Sequence, residues 1–156
     1  MRGALFLTFL LFLLVIIPWK PGTDRARETR VRLAAAIALN VLLVLLIVVP
    51  WRRFQNDLYW ERVRWVPFLS PPWSARDLIG NVMLYSPFGY AVARLAGTPY
   101  GQRLALIGAA VLALATEASQ LLSTHRYPSM TDVTCNLLGA WLGTTVARWP
   151  AGDSPR

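Results

Sequence analysis

Six polar side chains interrupt stretches that are otherwise apolar: Asn81, Glu117, Gln120, Arg126, Asp132 and Asn136. Two are carboxylates, the usual general acids and bases, and two acids that approach closely can hold one proton between them at neutral pH. Arg126 carries a planar guanidinium, which suits a phosphate or carboxylate because it makes paired hydrogen bonds. Asn81, Gln120 and Asn136 supply amides that bind a polar headgroup or bond one helix to another. Glu117 and Gln120 are three residues apart and Asp132 and Asn136 four apart, so each pair shares one side of a helix. Glu117 and Asp132 are therefore the candidate acid/base groups. Arg126, Asn81, Gln120 and Asn136 are the candidate substrate contacts. A plainer reading competes at each position. Asp132 also suits the N-cap of the last helix, and amides within a membrane often only join helices, at about 0.6 kcal/mol a pair. No nucleophile motif accompanies the acids. Glu117, His125 and Asp132 match no metal-ligand spacing, so neither metal nor cofactor is expected. His125 reads as a solvated loop residue.

The elements that carry these residues are apolar blocks. Of the 156 residues, 55% are hydrophobic and 15% charged, and the mean hydropathy is +0.42. That is too apolar for an ordinary soluble domain. The blocks run over 3–17, 33–49, 78–96, 104–122 and 133–147. A membrane span needs roughly 17 to 25 residues, which the second, third and fourth supply and the first and fifth reach with their flanks. The expected fold is an all-α integral membrane protein with about five transmembrane helices. Four spans with a cleaved or atypical first segment is the alternative. Against cleavage, the first run ends in "IIPWKPG" with no small-residue cleavage site, and Trp19 beside Lys20 suits an interfacial anchor. Residues 1–66 then hold two helices and a connecting segment, 67–148 a three-helix region, and 149–156 a short polar tail.

The one long connection, Trp51 to Asp77, alternates Trp51, Phe54, Leu58 and Val66 with Arg52, Arg53, Arg62 and Arg64. That pattern predicts an amphipathic segment lying in the interface, with Trp60, Trp65 and Trp73 at headgroup depth and Pro67, Pro71 and Pro72 ending it. The connection between the last two blocks is short, so they form an antiparallel hairpin. Alternating spans bring Asn81, Glu117, Gln120, Arg126, Asp132 and Asn136 to one membrane face. Pro87 and Gly89 mark a kink that opens space below Asn81. Gly139 and Gly143 let the last helix approach a neighbour closely, and Asn40, alone in its block, bonds an adjacent helix. The net charge of +8 sits in the connections, where it flanks spans, so no nucleic-acid partner is expected. Seven basic residues fall on one side of five spans and nine on the other, which leans towards a cytoplasmic C-terminus in a bacterial inner membrane. The single Cys135 forms no intrachain disulfide and packs as a small residue.

The ordered set "NVMLYSPFG" (81–89), "EASQ" (117–120), Arg126, Asp132, Asn136, Gly139 and Gly143 resembles the VanZ-like family of small bacterial membrane proteins, as does the preceding "WVPF". The resemblance covers about residues 67–148. Many members carry "DIDD" where this chain has "SMTD", so Ser129 and Thr131 stand where acids often do. That weakens any mechanism needing several acids in this loop. The family takes its name from a protein associated with teicoplanin resistance, but the resemblance implies relatives rather than a reaction.

Three functions compete. The first is binding or modification of an envelope lipid or a lipid-linked cell-wall precursor, with the aromatic connection admitting the lipid. The second is a structural or accessory subunit among other membrane proteins. The third is a small oligomeric transporter, which the absence of an internal repeat disfavours.

Overall fold

The computed structural model describes Leu10 and residues 25–51, 54–69, 74–97 and 100–148. The first apolar block apart from Leu10, its Trp19–Lys20 anchor, Arg52, Arg53, Pro71, Pro72, Trp73 and the polar tail lie outside the described residues. Within them the chain forms four α-helices: α1 (Arg25–Val48), α2 (Ala75–Ala96), α3 (Gly101–Gln120) and α4 (Met130–Arg148). A 3₁₀ turn, Trp60–Arg62, lies between α1 and α2.

Local chemistry sets the helix ends. The Ser74 hydroxyl accepts the Asp77 N–H at 3.1 Å and caps α2, satisfying one of the orphan donors of the first turn. Gly97, at φ 70°, follows its last turn, a conformation glycine adopts without strain. At the start of α4 the Ser129 hydroxyl accepts the Thr131 N–H at 3.2 Å. The Ser129 carbonyl accepts from Asp132 at 3.1 Å and Val133 at 3.3 Å. Ser129 thus caps this helix, and the Asp132 side chain is left for other partners.

The central pair is α2 with α4, which make the most extensive contact in the bundle. They run parallel, since Val82 lies against Gly139 and Ser86 against Gly143. Glycine is required here. A Cβ on Gly139 would fall on the Val82 carbonyl, one on Gly143 on the Ser86 carbonyl, and one on Gly89 on that of Ala140. α3 runs antiparallel to both, with Gly101 against Ala93, Gln102 accepting from Arg148 and Glu117 at the start of α4. α1 packs on α2 through Leu33, Ala36 and Ala91, and Asn40 Nδ2 donates to the Leu84 carbonyl at 3.0 Å. α2 continues as a helix through Pro87, whose missing N–H leaves the Met83 carbonyl without its usual intrahelical donor.

Tyr85, Phe88, Leu84, Val44 and Leu33 are buried, but many other large apolar side chains point outwards. Ala105, Ala109, Ala113, Ala140 and Cys135 are buried, while Leu39, Leu42, Leu46, Leu104, Ile107, Val111, Leu114, Leu138, Trp141 and Leu142 are exposed. In water such a surface would be a liability. Beside lipid tails, which are as apolar as leucine, it costs nothing, and small interior residues let helices associate by close packing.

The expectation of about five spans is corrected. Among the described residues there are four α-helices, and only Arg27–Val48 and Gly101–Gln120 are long and apolar enough to cross a membrane by length and composition. The physical reason lies in α2 and α4. Their blocks contain Arg76, Asp77, Asn81, Asp132, Asn136, glycines and hydroxyl residues, many of them turned towards another helix. The amphipathic connection between α1 and α2 has no α-helix among its described residues. Between α1 and α2 the described residues form turns and extended backbone that hydrogen-bond to a distant loop, so the arginine spacing reflects that docking rather than a helical face.

Candidate functional site

The site is built around the loop between α3 and α4. Glu117, in the last turn of α3, is buried. Its Oε2 accepts the Ser129 N–H at 2.7 Å and its Oε1 accepts from Gln120 Nε2 at 3.3 Å. One carboxylate thus ties the end of α3 to the start of α4, and its three-residue spacing from Gln120 places the amide as its second donor. Glu117 therefore sits as a clamp on the loop backbone.

Asp132, in the first turn of α4, is half-buried and accepts a side-chain hydrogen bond from Asn81 of α2. Asp77, Arg64 and Arg126 lie within its electrostatic reach, and Arg126 also acts on Glu117. Arg126 itself is exposed. Two parallel helices therefore open at one end with the acid of one bonded to the amide of the other, beside an exposed guanidinium.

Residues 54–69 form a strap over the loop. Gln55 N–H donates to the Leu122 carbonyl at 2.8 Å, and Tyr59 N–H to that of Leu121 at 3.0 Å. Arg64 N–H donates to Pro128 at 2.8 Å and the Arg64 carbonyl accepts from Met130 at 3.0 Å, an isolated parallel bridge between Arg64 and Ser129. Arg62 donates to the Thr124 carbonyl and stacks over Tyr59 and Tyr127, at 4.9 and 5.7 Å from the ring centroids. Arg64 lies 5.0 Å from the Tyr127 centroid. The strap leaves Trp60, Trp65, Val66, Phe68 and Leu69 exposed.

Phe68 has φ 62°, a left-handed conformation costly for a side chain with a Cβ. Its N–H is held by Thr131 Oγ1 at 2.9 Å. Thr131→Val keeps the shape and removes that acceptor, so the strap end should loosen by about 1 to 3 kcal/mol. Limited proteolysis of the purified protein would show faster cleavage within residues 64–69. Unchanged cleavage would mean that the bond does not hold the strap.

One turn deeper lie Tyr85 and Asn136, both buried. The Tyr85 hydroxyl lies against Thr116 and near Glu117, and Thr116, which donates its own proton to the Leu112 and Ala113 carbonyls at 3.0 and 2.9 Å, keeps its oxygen free to accept from the tyrosine. Asn136 Oδ1 has no hydrogen-bond partner among the described residues.

The structure thus brings Asn81 to Asp132, Gln120 to Glu117, and Arg126 within reach of both acids. Asn136 lies below them, and His125 is exposed in the loop. Pro87, Gly89, Gly139 and Gly143 are at the α2–α4 contact region or beside it and do not reach the polar groups. Sequence reasoning missed Asp77, Tyr85 and the role of the Ser129 and Thr131 backbone and hydroxyl groups. A signal for Asp77 was present: "DLIGN" (77–81) repeats the acid-to-amide spacing of "DVTCN" (132–136).

A helix bundle with many small residues inside, many large apolar ones outside and polar groups gathered at one end is the packing expected of a multi-pass membrane protein. The chain matches the VanZ/LLP1 family over residues 4–150 and belongs to that family. No curated protein and no solved structure matches it. Membership and the apolar helices together support, in general terms, a membrane-associated role in a bacterial envelope.

Proposed function

We propose that this protein binds the anionic headgroup of an envelope lipid or lipid-linked cell-wall precursor where Arg126, Asn81 and Asp132 meet. The observation that carries this reading is an exposed arginine beside the half-buried Asn81–Asp132 pair, under a strap whose tryptophans and Phe68 face outwards. Arg126 contacts a phosphate or carboxylate oxygen, Asn81 and Asp132 bind hydroxyls or orient the arginine, and the strap aromatics lie among the lipids. Asp132 rather than Glu117 is the acid open to a ligand, so any proton transfer to a bound headgroup runs through it.

A second reading, a non-catalytic accessory subunit, is favoured by the hydrogen bonds that occupy both oxygens of Glu117. The two separate on Arg126→Gln. Protein in nanodiscs is titrated with phosphatidylglycerol and with a short-chain polyprenyl phosphate. Loss of one charge-assisted contact, worth about 1.5 to 3 kcal/mol, should weaken binding of one or both at least tenfold. Equal affinity in the variant, or no binding by either protein, would leave the accessory role.

A further inference from the structure

We propose that the end of the bundle opposite the Asn81–Asp132 pair is a contact surface for anionic phospholipid headgroups, formed by a collar of arginines from all four helices. Three contacts gather the helix ends there. Gly101 at the start of α3 abuts Ala93 near the end of α2. Arg148 at the end of α4 donates to Gln102 of α3. Leu33 and Ala36 pack with Ala91 while Asn40 bonds Leu84, so α1 starts where α2 finishes. Arg27, Arg30 and Arg32 of α1, Arg94 of α2, Arg103 of α3 and Arg148 of α4 therefore share one end, and all six are exposed. Glu28 is the only acid there among the described residues.

Helix stability does not explain the collar. The macrodipole favours cations at a helix C-terminus and disfavours them at an N-terminus. Arg94 and Arg148 follow that rule, in the last turns of α2 and α4. The others break it. α3 opens with Arg103 and has no acid in its first turn, and every arginine of α1 lies between residues 25 and 32, at its start. The collar as a whole carries an excess of positive charge that calls for an anionic partner. Its depth identifies that partner. Each helix sets an exposed aliphatic side chain within two residues of its arginine: Val31 between Arg30 and Arg32, Leu95 after Arg94, Leu104 after Arg103, and Val146 before Arg148. Outward aliphatic groups meet lipid tails, and guanidiniums beside them reach the headgroups along their apolar stems. The collar thus lies where hydrocarbon gives way to phosphate, whose oxygens a guanidinium binds in pairs. A choline would set its own positive charge against the collar, whereas a glycerol headgroup leaves the phosphate charge open. The lipid that fits is anionic, with phosphatidylglycerol as the probe.

The test uses the full chain in phosphatidylcholine bilayers that hold a trace of spin-labelled phosphatidylglycerol or spin-labelled phosphatidylcholine. Electron spin resonance then reads how strongly each lipid competes for the protein boundary. An arginine at an anionic surface strengthens the contact about fivefold, so at low salt phosphatidylglycerol should be preferred about fivefold or more. The preference should shrink as sodium chloride screens it. Arg30→Gln, Arg94→Gln and Arg103→Gln combined should abolish it, while lysine at the same three positions keeps most of it. Arg126→Gln, at the other end of the bundle, should also leave most of it, which separates the collar from headgroup binding at the candidate site. Equal competition by the two lipids in the unaltered protein would overturn the proposal, as would a preference that salt does not change. So would an undiminished preference in the triple glutamine variant, or its complete loss with Arg126→Gln alone. Should the triple variant not accumulate, the three single variants decide, each with a reduced preference expected; no reduction in any of them would sink the idea.

Discussion

Gly143→Val is expected to leave little folded protein in the membrane, while Gly108→Ala accumulates close to normal. A side chain at Gly143 would run into the Ser86 carbonyl and lie 2.7 Å from the Tyr90 nitrogen, both backbone atoms of α2. Backbone cannot rotate aside, so the helices must separate. Overpacking typically costs 1 to 3 kcal/mol where side chains can shift, and here about 3 kcal/mol or more is expected because they cannot. Separation would also part Asn81 from Asp132. Gly139→Leu and Gly89→Ala meet the same kind of obstacle at Val82 and Ala140. Gly108 differs, because a Cβ there would lie 3.1 Å from the edge of the Phe88 ring, a side chain that can yield. The measurement is the amount of monodisperse protein recovered from equal masses of membrane. Equal recovery of Gly143→Val and Gly108→Ala would show that the α2–α4 backbone contact is not needed.

Glu117→Ala and Glu117→Gln are expected to behave differently. Alanine removes the acceptor of the Ser129 N–H and of the Gln120 amide, leaves a buried backbone donor orphaned and opens a cavity. Those terms together come to about 3 kcal/mol or more. Glutamine keeps one oxygen for Ser129, and its new amide can donate to Gln120 once that side chain flips to present its own oxygen. Abundance and unfolding temperature should therefore fall sharply for alanine and only slightly for glutamine. Lipid binding gives the second readout. A clamp that only positions the loop predicts that Glu117→Gln still binds phosphatidylglycerol or polyprenyl phosphate. Normal abundance with lost binding would instead put Glu117 in contact with the ligand.

Much of the site could be read from spacing. Pairs three and four residues apart on a helix share a side whatever surrounds them, so Glu117 with Gln120 and Asp132 with Asn136 followed from the sequence. The short α3–α4 connection then forced them to one end. What spacing does not encode is partnership across helices. Asp77 looked like an ordinary charge before an apolar block, and Tyr85 like an interior aromatic. Nothing local shows that one approaches Asp132 and the other Glu117. Counting spans failed for a related reason. Length and average composition treat a helix as uniform, whereas α2 and α4 carry polar and small residues on the sides they turn to each other and to α3. The long connection misled differently. Its alternation of aromatics and arginines fits an amphipathic segment on a membrane, but Arg62 sets its side chain on Tyr59, Tyr127 and the Thr124 carbonyl, and Arg64 lies over Tyr127 while its backbone bonds Pro128 and Met130.

That last feature has a consequence in time. The strap leaves the ribosome before α2, α3 and α4 exist, yet the loop groups that accept and donate its backbone hydrogen bonds lie at residues 121–131. Throughout most of synthesis the segment has nothing to hold it, and a contact between residues this far apart in the chain forms slowly because the loop must first close. Docking of residues 54–69 is therefore a late event in assembly, following the arrival of α4. A chain stalled before residue 121 would have α1, α2 and α3 but neither α4 nor a finished site, with an aromatic, basic segment still open to proteases.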